Sequence, residues 1–267
     1  MEIVRQIGHA DIADVLRLST DAGWNQLAED WHRMFDLAPD GCYGMDADGA
    51  IRASSTAIVY PGLAWIGMVL TSPEYRGRGF ARAVMEQLIE RLPVDRSRLD
   101  ATDLGRPLYL KLGYVDEYPV ERWIRPASAA CAAIALPAFH PDLIALDTAA
   151  FGYDRGILLA RLATESRTWS VDNGFAFTRA GRNARFFGPC VVATEDGARQ
   201  LLRAFLADFA GEPVFWDLCP ENASAARLAR ECGFQPVRHL MRMRRGPADA
   251  FTTPSPNVYA MAGFEFG

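Results

Sequence analysis

"SPEYRGRGFARAV", residues 72–84, decides how this chain is to be read. Upstream, "LAWIGMVLT" (63–71) is a nearly continuous apolar run, the pattern of a central strand covered on both faces. Downstream, Ala81, Val84, Met85, Leu88 and Leu92 share one helical face, opposite Arg82, Glu86, Glu90 and Arg91. A strand that enters glycines and then a helix gathers several backbone N–H groups and the positive helix end at one point, which suits a phosphate. Gly77 and Gly79 allow backbone angles closed to other residues and let a ligand come close. Arg76, Arg78 and Arg82 add charge with phosphate-matching geometry. Taken alone, the stretch also suits a tight strand-to-helix turn with solvated arginines. It is neither a Walker A loop, since no "GK[ST]" follows, nor the "GxGxxG" dinucleotide fingerprint.

Working outward, the first half is a mixed α/β unit. "EIVRQI" (2–7) alternates as a strand, and "HADIADVLRLST" (9–20) and "NQLAEDWHRMFDL" (25–37) have helical spacing. "GCYGMDADGAIRASSTAIVY" (41–60) predicts two strands around a turn at Ala47, Asp48 and Gly49. Past the loop and its helix come a strand "SRLDAT" (97–102), a short glycine-ended helix "GRPLYLKLGY" (105–114) and a strand "VDEYPVERWIRP" (115–126). "RPASAA" (125–130) suits a linker.

The second half repeats this order. "CAAIALP" (131–137) is expected as a strand, "LIALDTAAF" (143–151) and "DRGILLARLAT" (154–164) as helices, and residues 168–194 as two or three strands. "GARQLLRAFLADF" (197–209) is expected as a helix, "PVFWDLC" (213–219) as a strand, "NASAARLARECGF" (222–234) as a helix and "QPVRHLMRMRRG" (235–246) as a strand. Self-similarity at half the chain length points to internal duplication. The expected division is therefore 1–125, a linker at 126–130, and 131–267. The tail "VYAMAGFEFG" (258–267) is apolar enough to pack as one further strand.

"RGRGFA" (76–81) resembles the [RQ]-x-x-G-x-[GA] pattern that marks acyl-CoA binding in the GNAT N-acyltransferase superfamily, and "ATDLGRPLYLKLGY" (101–114) looks like that family's second motif. The resemblance covers residues 1 to about 125 in element order. It implies a mixed, mostly antiparallel sheet flanked by helices in each of two tandem domains, and acetyl-CoA as cosubstrate. The backbone of Val69, Leu70 and Thr71 would pair with the pantetheine arm, and Arg76, Gly77, Arg78, Gly79, Phe80, Ala81 and Arg82 would hold the pyrophosphate. Tyr109 would donate a proton to the leaving thiolate. Thr102 stands at the second motif's usual asparagine, a departure that bears on side-chain contacts there.

Acyl transfer to an amine needs a neutral amine, a donor for the developing oxyanion near Val69, and a proton for the sulfur. In "GWNQLAEDW" (23–31), Trp24, Asn25 and Asp30 are candidates to frame a cationic acceptor. The same stretch also reads as an amphipathic helix with Trp24 and Trp31 in the core and the acids, Glu29 among them, in solvent. His9 and His32, the only histidines of the first half, are further candidates for a base, although water relays serve many such enzymes.

The second half keeps Asn222, Ala225, Leu228 and Gly233–Phe234 of the second motif, but Ala229 stands at the tyrosine position. Only "EDG" (195–197) remains of the loop, and Glu195 and Asp196 suit a helix N-cap and would repel a pyrophosphate. This half is expected to bind no acyl-CoA and to cover the first.

Composition narrows the function classes. A chain of 267 residues is long for one core. Its net charge of −5 argues against general affinity for nucleic acid or anionic membrane. No run reaches the ~20 apolar residues that span a bilayer, and the N-terminus lacks a signal-peptide pattern. Cys42, Cys131, Cys190, Cys219 and Cys232 are scattered without metal-type spacing, so no metal is expected and a cytoplasmic location with free thiols is. The expectation is an N-acetyltransferase acting on a small-molecule or peptide amine as monomer or homodimer; an acyl-CoA-binding sensor or scaffold is the alternative.

Overall fold

The computed structural model describes residues 2–129, 132, 134–247 and 254–267. The first half runs β1 (Ile3–Gln6), α1 (Ile12–Asp21), α2 (Ala28–Leu37), β2 (Cys42–Ala47), β3 (Ala50–Tyr60), β4 (Leu63–Thr71), α3 (Phe80–Arg91), β5 (Ser97–Ala101), α4 (Arg106–Lys111) and β6 (Val115–Arg125). The second runs α5 (Ile144–Phe151), α6 (Gly156–Glu165), β7 (Thr168–Val171), β8 (Gly174–Arg179), β9 (Arg185–Val192), α7 (Glu195–Phe209), β10 (Val214–Leu218), α8 (Ala223–Glu231), β11 (Gln235–Arg245) and β12 (Val258–Ala260).

Local chemistry accounts for these elements. Asp48 and Gly49 both take left-handed angles (φ 52° and 76°), which closes the two-residue hairpin between β2 and β3. In α3, Phe80, Val84, Met85 and Leu88 form one buried stripe. β4 is buried along most of its length, as expected of a strand covered on both faces.

All strands join one sheet, in the order β1-β2-β3-β4-β5-β11-β6-β10-β9-β8-β7, with β12 paired to β9. Pairing is antiparallel except for β4–β5 and β9–β10. The halves exchange their closing strands: β11 lies between β5 and β6, and β6 reaches across to β10. Second-half residues are thereby built into the centre of the first half's sheet. One hydrophobic core is also common to both, packing Trp31, Met34 and Phe35 with Leu158, Leu159, Leu162, Phe175, Phe177 and Phe266.

Two sequence expectations change. Residues 132 and 134–137 of "CAAIALP" form no strand; instead the Pro137 carbonyl accepts the Ser170 N–H at 2.7 Å and Leu136 packs on the second core. Ala130, Cys131 and Ala133 lie outside the described residues. In the tail only β12 is strand, because Gly263 (φ 125°) turns the chain back toward the first half. There the Phe264 carbonyl accepts the Trp65 indole N–H at 3.0 Å, and the Phe266 carbonyl accepts the Tyr60 hydroxyl at 2.9 Å. Arg155, bidentate on Asp147, donates to the Gly267 carbonyl at 2.6 Å.

Candidate active site

A cavity of about 620 Å³ runs from the glycine loop, along β4, to the exchanged strands β6 and β11. At its loop end a 3-10 turn, Pro73–Tyr75, leads into extended Arg76, then left-handed Gly77 (φ 78°) and Gly79 (φ 83°), the residue that precedes α3. A Cβ at either glycine meets open space, so glycine is needed for conformation rather than room. The first helical bond of α3 is Ala83 N–H to the Gly79 carbonyl, which leaves the amides of Phe80, Ala81 and Arg82 without a helical acceptor. Arg76, Gly77, Gly79, Phe80, Ala81 and Arg82 all line the cavity. Arg78 does not: it stacks over Tyr75 and Phe80, at 4.8 and 5.1 Å from their ring centres, and pairs with Glu2.

The second wall is an opened sheet. β4 and β5 pair only at Ala64–Ser97 and Trp65–Arg98, and the strands part beyond. Met68 takes φ 50°, the β3–β4 register slips there, and the Ser54 hydroxyl donates to the Met68 carbonyl at 2.7 Å. This bulge bends the strand that carries Val69, Leu70 and Thr71, all of which line the cavity. The Thr71 hydroxyl is buried without a hydrogen-bond partner among the described residues. Thr102 also lines the cavity while its hydroxyl accepts the Gly105 N–H at 3.1 Å, shaping the entry to α4.

Tyr109 projects from α4 into the same space. Its ring packs edge-on against Tyr114, with centroids 6.1 Å apart, and against the backbone of Gly105, where a Cβ would come within 2.9 Å of Cε2. Gly105 therefore exists to let this ring lie close. Among the described residues nothing hydrogen-bonds the Tyr109 hydroxyl. Burial, reinforced by Tyr114, pushes its pKa well above the ordinary tyrosine value.

The far end is built from Trp24, Gln26, Arg122, Arg238, Phe264 and Glu265. Two carboxylates line the cavity: Asp100, whose oxygens both accept from Arg242 at 2.8 and 3.0 Å, and Glu265, whose Oε1 accepts from Arg179 at 3.0 Å. Trp24 is in the wall as the sequence suggests, but Asn25 and Asp30 are not. The Asn25 amide donates to the Ala184 carbonyl at 2.8 Å and accepts the Asn183 and Ala184 N–H groups, tying the halves together. Asp30 accepts from Leu27 N–H, Arg33 and Arg179 within 2.7–2.9 Å, so its oxygens are spent on capping α2 and on buried ion pairs. His9 and His32 sit together at the surface, Nδ1 to Nδ1 at 2.7 Å, with His9 on Asp36, and neither lines the cavity.

Sequence reading missed Gln26, Arg122, Arg238 and Glu265. Its available signal was the arginines at 238 and 242 of "QPVRHLMRMRRG", an odd choice for one face of a central strand.

In the second half, the groove that corresponds to the β4–β5 opening is filled by the chain itself. β9 and β10 pair at Arg185–Val214 through Phe187–Trp216, after which β12 pairs with β9 instead. The Trp216 indole donates to the Tyr259 carbonyl at 2.8 Å, the Met261 N–H to the Asp217 carbonyl at 2.8 Å, and the Asn222 amide to the Pro256 and Val258 carbonyls. Ala229, fully buried, occupies the tyrosine position. The cap of α7 is Thr194, whose hydroxyl accepts the Gly197 N–H at 3.2 Å, rather than Glu195 or Asp196; these occupy the first turn, with Glu195 paired to Arg227.

Comparison with known proteins agrees with this geometry. Residues 11–114 match the model of the acetyltransferase (GNAT) family, and residues 143–260 match that of an acetyltransferase (GNAT) domain. The uncharacterized N-acetyltransferase YitH of Bacillus subtilis is 27% identical over 241 residues, covering 84% of each chain. A protein of Pyrococcus horikoshii superposes with a TM-score of 0.86 at 24% identity, over 100% of this chain and 96% of that one. The tandem GNAT protein from the clavulanic acid biosynthesis pathway superposes at 0.63 with 16% identity, over 93% and 100% of the two chains. With an opened sheet behind a glycine loop in one half and the same architecture closed by its own strand in the other, the chain belongs to the GNAT acetyltransferase superfamily, as a tandem of two domains of that family.

Proposed function

We propose that the first half moves an acetyl group from acetyl-CoA directly to a primary amine of a small molecule or peptide. One observation carries this reading: the glycine loop, the open edge of β4 and Tyr109 line a single cavity that the carboxylates of Asp100 and Glu265 line too. The residues fit the cosubstrate. The first-turn amides of α3, with Arg76 and Arg82, suit a pyrophosphate, and the edge of β4 past Trp65 suits the amides of a pantetheine arm in the manner of an added strand.

The amine arrives as an ammonium with a pKa of roughly 10.4 and must lose a proton. Asp100 has both oxygens on Arg242, so Glu265 is the cavity carboxylate left to take that proton, directly or through water. As the N–C bond forms and the C–S bond breaks, the carbonyl oxygen gains charge, which the backbone N–H at Val69, beside the Met68 bulge, would meet. The sulfur departs as a thiolate whose ordinary pKa is about 8.5. Tyr109, raised by burial, keeps its proton at neutral pH and donates a hydrogen bond to that sulfur; the proton the thiol finally carries is replenished from water. Overall an ammonium and a thioester give an amide, a thiol and one proton to solvent.

The test is release of free CoA thiol from acetyl-CoA over a panel of amines, with the N-acetyl product identified by mass. Amine-dependent, stoichiometric release is expected. Tight acetyl-CoA binding with no turnover on any amine would instead identify a sensor or scaffold.

A further inference from the structure

The far end of the cavity contains one cation, Arg238, with no carboxylate within ion-pair distance among the described residues; Asp217, held by Arg122, acts on it only through its charge. On β6 and β11 the pairs Arg122–Arg238, Val120–Leu240 and Tyr118–Arg242 stand opposite one another, so three guanidiniums share this face of the sheet. Arg122 is bidentate on Asp217 (2.7 and 2.7 Å) and Arg242 is bidentate on Asp100. Arg238 makes no ion pair or hydrogen bond among the described residues. It is half-buried in the cavity wall, 5.7 Å from the centre of the Trp24 ring. Burial and the facing Arg122 push its pKa down, against a smaller upward pull from the Asp217 carboxylate. Directly opposed like charges destabilise a sheet unless something else holds them. A second group of the same cavity is also unfinished: Gln26 is 4% exposed, and its Oε1 has no donor among the described residues. A carbonyl oxygen without a donor and a carboxylate, Glu265, favour a ligand N–H; a single spare guanidinium favours a single negative charge, as on a carboxylate, over a phosphate dianion.

Resting on the acyl-transfer reading above, we infer that the acceptor is a primary amine that itself carries a carboxylate, of the amino-acid class, with Arg238 receiving the carboxylate and Gln26 and Glu265 the amino group. Trp24 then bounds the space between them.

The experiment uses matched triplets: each L-amino acid, its carboxamide and its decarboxylated amine, assayed by thiol release with acetyl-CoA. The best acid is expected to exceed both partners at least ten-fold in kcat/KM, with the difference in KM. Arg238→Gln should collapse that ratio toward one, a loss of about 10–100-fold for the acid, as removal of a charge-assisted pair implies. An amide or decarboxylated amine as good as its acid, or a ratio that survives Arg238→Gln, overturns the inference. A second measurement does not depend on turnover: calorimetric binding of the N-acetyl-L-amino acids and their amides in the presence of CoA. Acid-selective binding lost in Arg238→Gln, without catalysis, keeps the inference and removes the transfer reading. Absence of such binding together with absence of acid-selective turnover overturns the inference itself.

Discussion

Arg122 and Arg238 face each other across the β6–β11 ladder, and among the described residues a carboxylate hydrogen-bonds Arg122 but not Arg238. The two arginines therefore do different work in nearly the same place. Arg122 is 6% exposed and its partner Asp217 1%, so Arg122→Gln leaves a buried aspartate without its hydrogen-bonded counter-ion. Unfolding in urea is expected to show a loss of about 3–5 kcal/mol. Arg238→Gln removes a repulsion and, apart from its stacking over Trp24, no ion pair or hydrogen bond among the described residues, and its midpoint should be unchanged or higher. Equal losses in the two variants would assign Arg238 a structural task.

Gly79→Val places a branched side chain at φ 83° in open space. Left-handed backbone costs an L-residue about 1–2 kcal/mol, which a folded domain absorbs, but relaxing it re-aims the first amides of α3. Calorimetry should find one acetyl-CoA per chain in the wild type and at least a ten-fold weaker affinity in the variant, with circular dichroism preserved. A second site surviving Gly79→Val would contradict a second-half groove closed by β12.

Tyr109→Phe should lower kcat about 10–100-fold, the scale of one lost hydrogen bond to a charged sulfur. Because burial raises the Tyr109 pKa above its ordinary 10, the hydroxyl is protonated throughout pH 6–9. The loss should therefore be the same factor across that range, and any alkaline limb of the wild-type profile should persist in the variant. A limb that disappears with the hydroxyl would show that Tyr109 titrates in the working range.

Stability should decline in alkali. Burial pushes the Tyr114 phenol and the Cys42 thiol each up to about 12, from ordinary values of 10 and 9. Groups whose folded pKa is raised contribute fully below their unfolded pKa, and that contribution is lost as pH rises through the window from about 9 to 12. Thermal midpoints should be insensitive to these groups below pH 9 and fall above it, less steeply in Tyr114→Phe. A Tyr114→Phe slope equal to wild type would show that this phenol ionises alike in both states.

Part of the site was legible before any coordinates. Gly77, Gly79 and the strand–turn–helix around them are local: a few consecutive residues determine which backbone angles are allowed and where the amides gather. The Tyr109 helix and the repeat of elements across two halves are equally short-range patterns. Trp24 was found because its stretch stands where the family resemblance puts the acceptor cleft and an aromatic face attracts a cation. Asn25 and Asp30 were not distinguishable from it, because whether an amide or carboxylate faces a cavity or caps a helix depends on partners such as Ala184 and Arg179, over 140 residues away.

By itself, then, the sequence determined the glycine loop, the tandem repeat, the motif tyrosine and its absence at Ala229, since each depends on neighbours along the chain. Only the tertiary structure decided that the closing strands change places, that β12 fills the second groove, and that Arg238 and Glu265 enter the first. Those outcomes rest on pairings such as Trp65 with Phe264, 199 residues apart, whose hydrogen bonds and buried charges leave no periodic trace in the segments that make them.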